Sequence, residues 1–450
     1  MNGKKVFGDY QTPLNFANEV CLLLVNKYKT NPDVVIEPTC GIGNFLQASQ
    51  CFNALKYYGL EINSKYCDAT KKILNKENVE ILNVNYFAHG IRNFIDLTKN
   101  NLIIGNPPWV TNSELSKEDS FNMPQKSNLK NLKGFDALTG ASNFDVCEFI
   151  ILDIIESIKN TNSTLAMLCK TSVARNIFKE ISRRKCLYKS FSMYKFNSKK
   201  IFNISASACL LVVEFDTNYS DNECKCLIFN FDKPFIQTNF IEYKNSDIYC
   251  GNSQEDFLGE SCFEWRQGVK HDCSKVVELT KNKNVLLNGN CEEVDIEDFL
   301  VYTLVKSSMF KQPIITNSIK KVIITQTRVG EDTSKIQKFA PYTWSYLQKN
   351  IKYFNKRKSV IYKNSSQFAI FGIGDYSFAP YKVGISGFYK EPLFSLIYNS
   401  ENNKPIMTDD TVYFISFSNY EIAYTAMLCL NTDKVLDFLK SISFQDSKRP

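Results

Sequence analysis

Asn106-Pro107-Pro108-Trp109 directly follows the apolar run Asn101-Leu102-Ile103-Ile104-Gly105. A short apolar run bounded by Gly and Pro reads as a buried strand. Two prolines cannot donate to a ladder, so the strand stops there and the chain beyond it is stiff. The Asn106 side-chain oxygen and the Pro107 carbonyl are paired acceptors, Pro108 fixes the path of the chain, and Trp109 offers a flat apolar face. This set suits an exocyclic amino group on a planar ring. The acceptors take its two N–H bonds, the indole stacks on the ring, and the nitrogen lone pair is drawn out of conjugation toward an electrophile. Taken alone, the tetrapeptide is equally an ordinary strand-to-turn junction with a core tryptophan.

The elements that must position it lie upstream. In open α/β sheets, ligands bind just outside the C-terminal strand ends. Thr12-Pro13 opens a helix whose apolar face is Phe16, Val20, Leu23 and Leu24; proline near a first turn is a start signal. The strand Val34–Glu37 runs into Pro38-Thr39-Cys40-Gly41-Ile42-Gly43 and a second helix start. The glycines allow unusual dihedrals and close approach to a ligand. There is neither a third glycine at dinucleotide spacing nor a Lys-Ser pair as in a phosphate loop. Glu37 at the strand end favours a ligand carrying an ammonium group over a pyrophosphate. The next strand, 55–62, ends in Glu61-Ile62, with the acid 18 residues after Gly43, near the spacing at which an acid takes ribose hydroxyls. A helix follows from Asn63, then a strand over Val79–Leu82 leading to Asn85-Tyr86, a polar group and an aromatic suited to an adenine edge and face. Four consecutive strand ends carrying such groups fit a nucleoside-bearing cofactor.

Composition narrows the class. At 450 residues and 44% apolar, two or three domains with large cores are expected. No apolar run reaches a membrane span, and no apolar signal core stands at the N-terminus. The 15 cysteines form no CxxC pair and there are only two histidines. A metal site and a disulfide framework are therefore not expected, and reduced cytoplasmic thiols are. The net charge of +7 is modest, but Lys311–Lys363 carries twelve Lys/Arg against two Asp/Glu.

Together these stretches resemble class I S-adenosylmethionine-dependent methyltransferases, and more narrowly the gamma-class DNA adenine-N6 methyltransferases of bacterial restriction–modification systems. The order Thr-Pro, Gly loop, acid, Asn-Pro-Pro-aromatic, C-terminal half is that of the gamma class, over roughly residues 5–215. The resemblance implies a Rossmann-like doubly wound α/β sheet and S-adenosylmethionine as cofactor. It places Thr12 and Pro13 at the methionine end, with Glu37, Thr39, Gly41 and Gly43 framing the same region. Glu61 takes the ribose, and Ile62, Asn85, Tyr86 and Asn106 complete the cofactor set. Asn85 stands where the family has aspartate, so its contact with the adenine amino group lacks charge. Trp109 stands where tyrosine is commoner; stacking survives and a hydroxyl contact does not. The catalytic set is Asn106, Pro107, Pro108 and Trp109. The base-clamping aromatic before the last strand is Phe202, with Phe196 as the alternative.

Thr111–Ser142 is a long polar stretch, either a loop closing over an extruded base or disorder. An apolar helix then starts near Asp145, and further strands and helices to Phe215 complete the sheet. The polar break 217–222 is the expected boundary between a catalytic domain, 1–220, and a mixed, β-rich target-recognition domain, 221–450. There, Arg266, Lys270, Lys356, Arg357, Lys358, Tyr381 and Lys382 are the candidate DNA contacts. Arginine and glutamine read base edges, and lysines mixed with aromatics suit phosphates and bases. The segment 371–387 resembles the core of target-recognition domains. Glu278–Lys281 reads as a helix face, and Asp409-Asp410-Thr411 as a turn.

The reading is thus a cytoplasmic, monomeric enzyme that methylates the N6 of a flipped adenine in double-stranded DNA, with a cognate restriction endonuclease as a further partner. Cytosine N4, an RNA adenine or a protein glutamine are alternative targets, and a non-catalytic DNA-binding subunit is the alternative of another class.

Overall fold

The computed structural model describes residues 10–110, 145–220, 224–251, 261–283, 285–387, 391–401 and 404–443. The chain divides into two compact units, Met1–Asn252 and Ser253–Pro450.

In the first unit, α1 (Leu14–Leu23) begins directly after Pro13, whose extended backbone forms the N-cap, and it buries Phe16, Val20 and Leu23. β1 (Val34–Glu37) is buried throughout and leads through the Gly loop to α2 (Asn44–Ala48). There follow β2 (Lys56–Glu61), α3 (Ser64–Ile73), β3 (Val79–Asn83), α4 (Tyr86–His89) and β4 (Asn101–Gly105). α5 (Val146–Ile158) is capped by the Asp145 carboxylate, which accepts from the Cys147 N–H. β5 (Ser163–Lys170), α6 (Thr171–Arg183), β6 (Ser190–Phe196), α7 (Ser198–Phe202) and β7 (Ala208–Phe215) complete the core. The strand order is β3-β2-β1-β4-β5-β7-β6, with β7 antiparallel to both neighbours. The order reverses between β1 and β4, so a crevice opens at their C-terminal ends. Glu37 and Gly105, the last residues of those strands, flank it.

The sheet does not end there. β8 (Lys225–Asn230), β9 (Lys233–Lys244) and β10 (Asp247–Cys250) add to the β6 edge and make it ten-stranded. The break in compactness therefore falls after these strands rather than at the polar turn 217–222, where the sequence places it. That turn is a connection within one sheet.

Among the described residues, the second unit has two five-stranded sheets, β11-β20-β17-β18-β15 and β13-β12-β16-β14-β19, in which β11 is Arg266–Gln267, β12 Glu278–Asn282, β13 Val285–Leu287, β14 Val301–Val305, β15 Ile314–Ile315, β16 Lys320–Ile323 and β19 Met407–Thr408. The first centres on β17 (Tyr381–Ser386) between β18 (Phe394–Ile397) and β20 (Val412–Phe417), and Ala423, Ala426 and Met427 of the helix Tyr420–Leu430 share its core. The second packs Leu279, Val301 and Val322 with Leu347, Phe354 and Phe368. The expected helix face at Glu278–Lys281 is instead β12 (Glu278–Asn282), paired with strands on both sides. Pairing at both edges overrides the local preference of Glu and Lys. The turn at Asp409-Asp410-Thr411 is present, the Asp409 carboxylate accepting from the Thr411 N–H at 3.2 Å.

Glu278 anchors a charged knot in this unit. The Lys306 ammonium lies 2.9 Å from both its oxygens, and the His271 Nε2 is 3.4 Å away. Lys306 also reaches Asp409 at 3.5 Å. Burial acts to raise the Glu278 carboxyl, but hydrogen bonds from His271 and Lys306 outweigh it and hold it below the usual range. A depressed folded value stabilises above the unfolded pKa, about 4.3 for Glu, and that contribution is lost as pH falls through the folded value. Glu278→Gln is therefore expected to cost about 1–2 kcal/mol near neutrality. Its gap to wild type in urea midpoint should close in acid; a gap independent of pH would contradict this.

Candidate active site

The four strand ends converge on one cavity of about 420 Å³ in the first unit. From the sequence-derived cofactor set, Thr12, Glu37, Thr39, Gly41, Glu61, Ile62, Asn85, Tyr86 and Asn106 line it. Pro13 and Gly43 do not. Pro13 caps α1, and Gly43, at φ +78°, is the left-handed residue that turns the loop into α2. Gly43 lies against Thr70, so a Cβ there would fall 2.4 Å from the Thr70 Cγ2.

The Gly loop is tethered by acids. The Gly41 N–H donates to the Glu61 Oε2 at 2.8 Å, and the Asn63 N–H to the Oε1 at 2.7 Å. Both oxygens of Glu61 are thus turned toward backbone N–H groups at the cavity wall. The Glu37 Oε2 accepts from the Leu46 N–H at 3.1 Å. Burial raises the Glu37 carboxyl well above the usual range, the Leu46 N–H works against it, and the charge of Glu61 adds to the rise. A carboxyl so placed gains from a cation entering the cavity.

Asn106 is held from an unexpected direction. Its Nδ2 donates to the Tyr10 carbonyl at 2.8 Å. This fixes the amide plane and leaves Oδ1 buried with no partner. The Thr12 hydroxyl, another wall group, is likewise buried and unpartnered. Orphaned buried acceptors are costly in a folded protein and mark places where a ligand completes the bonding.

Trp109 is only 7% exposed, and its indole N–H points to the Leu168 carbonyl at 3.4 Å. Its ring meets Phe202 at 5.7 Å and Tyr10 at 6.3 Å between centroids, while Tyr10 and Phe202 are 6.4 Å apart. These three rings form an aromatic corner beside Asn106. Phe202 is thus brought beside Trp109, whereas Phe196 lies 6.2 Å from Phe202 and packs on Phe16.

Asn85 departs from expectation in detail. Its side-chain oxygen accepts from the Phe87 N–H at 2.9 Å as the cap of α4, so that acceptor is already engaged. The Tyr86 hydroxyl turns away to Asp153 at 2.7 Å. The aromatic on the cavity wall beside them is Phe87, which the sequence reading missed. Tyr10 and Gln11 were missed too. They immediately precede Thr-Pro, and the Gln11 Oε1 accepts from the Ile42 N–H at 3.1 Å across the Gly loop. Proximity to Thr12 was the only signal for them.

Five DNA-contact candidates in the second unit are already engaged within the protein. Lys382 is 1% exposed and donates to the Ala379 carbonyl at 2.9 Å, with burial pushing its ammonium down to about 7. β17 is covered on both faces, so strand alternation could not deliver Lys382 to solvent. Arg357 spends its guanidinium on the Phe354, Gln367 and Ala369 carbonyls, with the Tyr362 ring 3.9 Å away. These two are corrected from surface contacts to packing residues. Lys270 is paired with Asp272 and Asp410, Arg266 with Glu264, and Tyr381 packs on Tyr398 and Tyr420. Lys356 is exposed, as is Lys358. The stretch 111–142 lies outside the described residues.

A β3-β2-β1-β4-β5-β7-β6 sheet with a Gly-loop cavity at its switch point defines a Rossmann-like methyltransferase fold. The chain belongs to the type II methyltransferases: it is 41% identical over 461 residues to the type II methyltransferase M.NspV of Nostoc sp., covering 99% of this chain and 94% of that one. Among solved structures, it is similar to the type I restriction-modification methyltransferase subunit of Streptococcus thermophilus at 13% identity and TM-score 0.35, over 49% of this chain and 46% of that one. It is also similar to TrmK of M. capricolum in complex with S-adenosyl-homocysteine, at 15% identity and TM-score 0.28, over 46% and 70%. No family model matches the chain. Among the described residues, no helix is long and apolar enough to cross a membrane.

Proposed function

We propose that this chain is a DNA methyltransferase of a restriction–modification system that methylates the exocyclic N6 of an adenine extruded from duplex DNA. The observation that carries the reading is the unpartnered Asn106 Oδ1 beside the Gly-loop cavity.

The cavity suits S-adenosylmethionine. Glu37 and the Thr12 hydroxyl are the groups for its ammonium end, and Glu61 for the ribose diol. Ile62 and Phe87 cover the nucleobase, and Asn85 lies at its edge. Bound there, S-adenosylmethionine supplies a methyl group on a positively charged sulfur. Asn106 Oδ1 and the Pro107 carbonyl each accept one N–H of the target amino group. Holding both protons in the ring plane turns the nitrogen lone pair toward the cavity. Trp109 and Phe202 hold the extruded ring, with Tyr10 as a third wall. The base must leave the stack to reach them. Positioning and polarisation account for the catalysis, and no covalent enzyme intermediate is required.

The test is incubation with labelled methyl donor and duplex DNA, followed by digestion to nucleosides. Label in N6-methyl-2′-deoxyadenosine is expected. Label in N4-methyl-2′-deoxycytidine would move the target to cytosine, and transfer to RNA or protein alone would overturn the DNA reading.

For the second unit, the exposed lysines in 349–363, where no Asp or Glu occurs, support a phosphate-binding surface. The double variant Lys356→Gln/Lys358→Gln is expected to lower the salt slope of duplex binding by about 1–2. An unchanged slope would remove this strip from the interface.

A further inference from the structure

The turn that carries the base-facing Phe202 also carries charge. Lys200 and Lys199 stand two and three residues ahead of it on α7, and Lys195 stands near the end of β6, just before the turn. All three are exposed. From Lys185 to Val213 the chain has no Asp or Glu, and among the described residues no carboxylate pairs with these lysines. Three exposed lysines within six residues, next to the ring of Phe202 in the chain, make a local positive field that favours a polyanion.

The turn is also rigid. The Asn197 side chain accepts from the Lys200 N–H at 3.1 Å, the Ser198 hydroxyl donates to the Ile204 carbonyl at 3.1 Å, and Asn203 closes the helix at φ +58°. The Phe202 ring is in turn fixed against Trp109 and Tyr10. The cations therefore keep a set position relative to the ring corner. Glu19 and Asp232 line the open groove beyond Phe196 without pairing with Lys195 or Lys200, which also line it.

We infer that Lys195, Lys199 and Lys200 form a phosphate clamp that grips the backbone of the extruded nucleotide's own strand. The inference rests on the duplex-DNA reading above. It assigns phosphodiester oxygens to the turn that carries Phe202, separately from the lysine strip of the second unit. Backbone contacts of this kind fix register and carry no sequence information.

The test is methyl transfer to unmethylated bacteriophage DNA between roughly 50 and 200 mM salt, with S-adenosylmethionine affinity measured alongside. In the triple variant Lys195→Gln/Lys199→Gln/Lys200→Gln, the salt slope of kcat/KM for DNA is expected to fall by about 2 to 3. KM for DNA should rise at least about tenfold at the upper salt, with cofactor affinity unchanged. The triple arginine variant should restore the slope, because charge rather than shape is the requirement. An unchanged slope and KM in the glutamine variant overturns the clamp while leaving the DNA reading standing. A drop in kcat with loss of cofactor affinity, not rescued by arginine, also overturns it, since the lysines would then be structural. A wild type that transfers no methyl group to DNA overturns both.

Discussion

Asn106→Ala is expected to lower kcat for methyl transfer by at least about 100-fold, the scale set by removing one preorganised polar group from a reaction centre. The amide does two things that alanine cannot. Its nitrogen is committed to the Tyr10 carbonyl, and its oxygen is left buried and unpartnered, the acceptor that the proposed mechanism gives to the target amino group. Removing it leaves the Tyr10 carbonyl without its donor and the target amino group without an acceptor. Cofactor affinity should fall by no more than about tenfold, because Asn106 is one wall group among many. Asn106→Asp separates the two tasks. Aspartate can accept from the amino group but, ionised, cannot donate to Tyr10, so intermediate activity is expected. Full activity in the alanine variant, measured as labelled methyl incorporation, would remove Asn106 from the mechanism.

The second large effect falls on binding. Glu61→Ala is expected to weaken S-adenosylmethionine binding by about 100-fold or more, measured by titration calorimetry. Both Glu61 oxygens accept backbone N–H groups, from Gly41 and Asn63. Hydrogen bonds to a charged partner are worth about 1.5–3 kcal/mol each, and about 1.4 kcal/mol is tenfold in affinity. Alanine removes the tether of the Gly loop together with the carboxylate that the proposed reading gives to the ribose diol. Glu61→Gln keeps an acceptor for only one N–H and places an NH₂ against the other, so it should rank between wild type and alanine. If cofactor affinity were unchanged in both variants, the cavity would not be the cofactor site. Folding is checked by the urea midpoint, which should move far less than the affinity, because the end of β2 is only one strand end in a ten-stranded sheet.

Much of the first unit could be read from one dimension. The strands ending at Glu37, Glu61, Asn83 and Gly105 fall within a residue or two of their sequence-derived ends, because a buried apolar run stopped by Gly or Pro is a local signal. The second unit was less legible. Its strands are short, and β12 and β17 are paired at both edges, so Glu278 and Lys382 sit inside sheets where local patterning assigned a helix or solvent.

The sequence alone determined that an amide, two prolines and an indole leave the sheet together, and that acids and glycines cluster at neighbouring strand ends. Covalent order and backbone sterics impose these. Tertiary structure decided which atom of Asn106 is free, because the carbonyl that captures its nitrogen lies 96 residues away in Tyr10. It also decided that Glu61 spends its charge on the Gly loop, that Arg357 and Lys382 point inward, and that three strands past the polar turn belong to the first sheet. Such outcomes depend on which groups burial leaves without water, and that is settled only when distant segments compete for the same donors and acceptors.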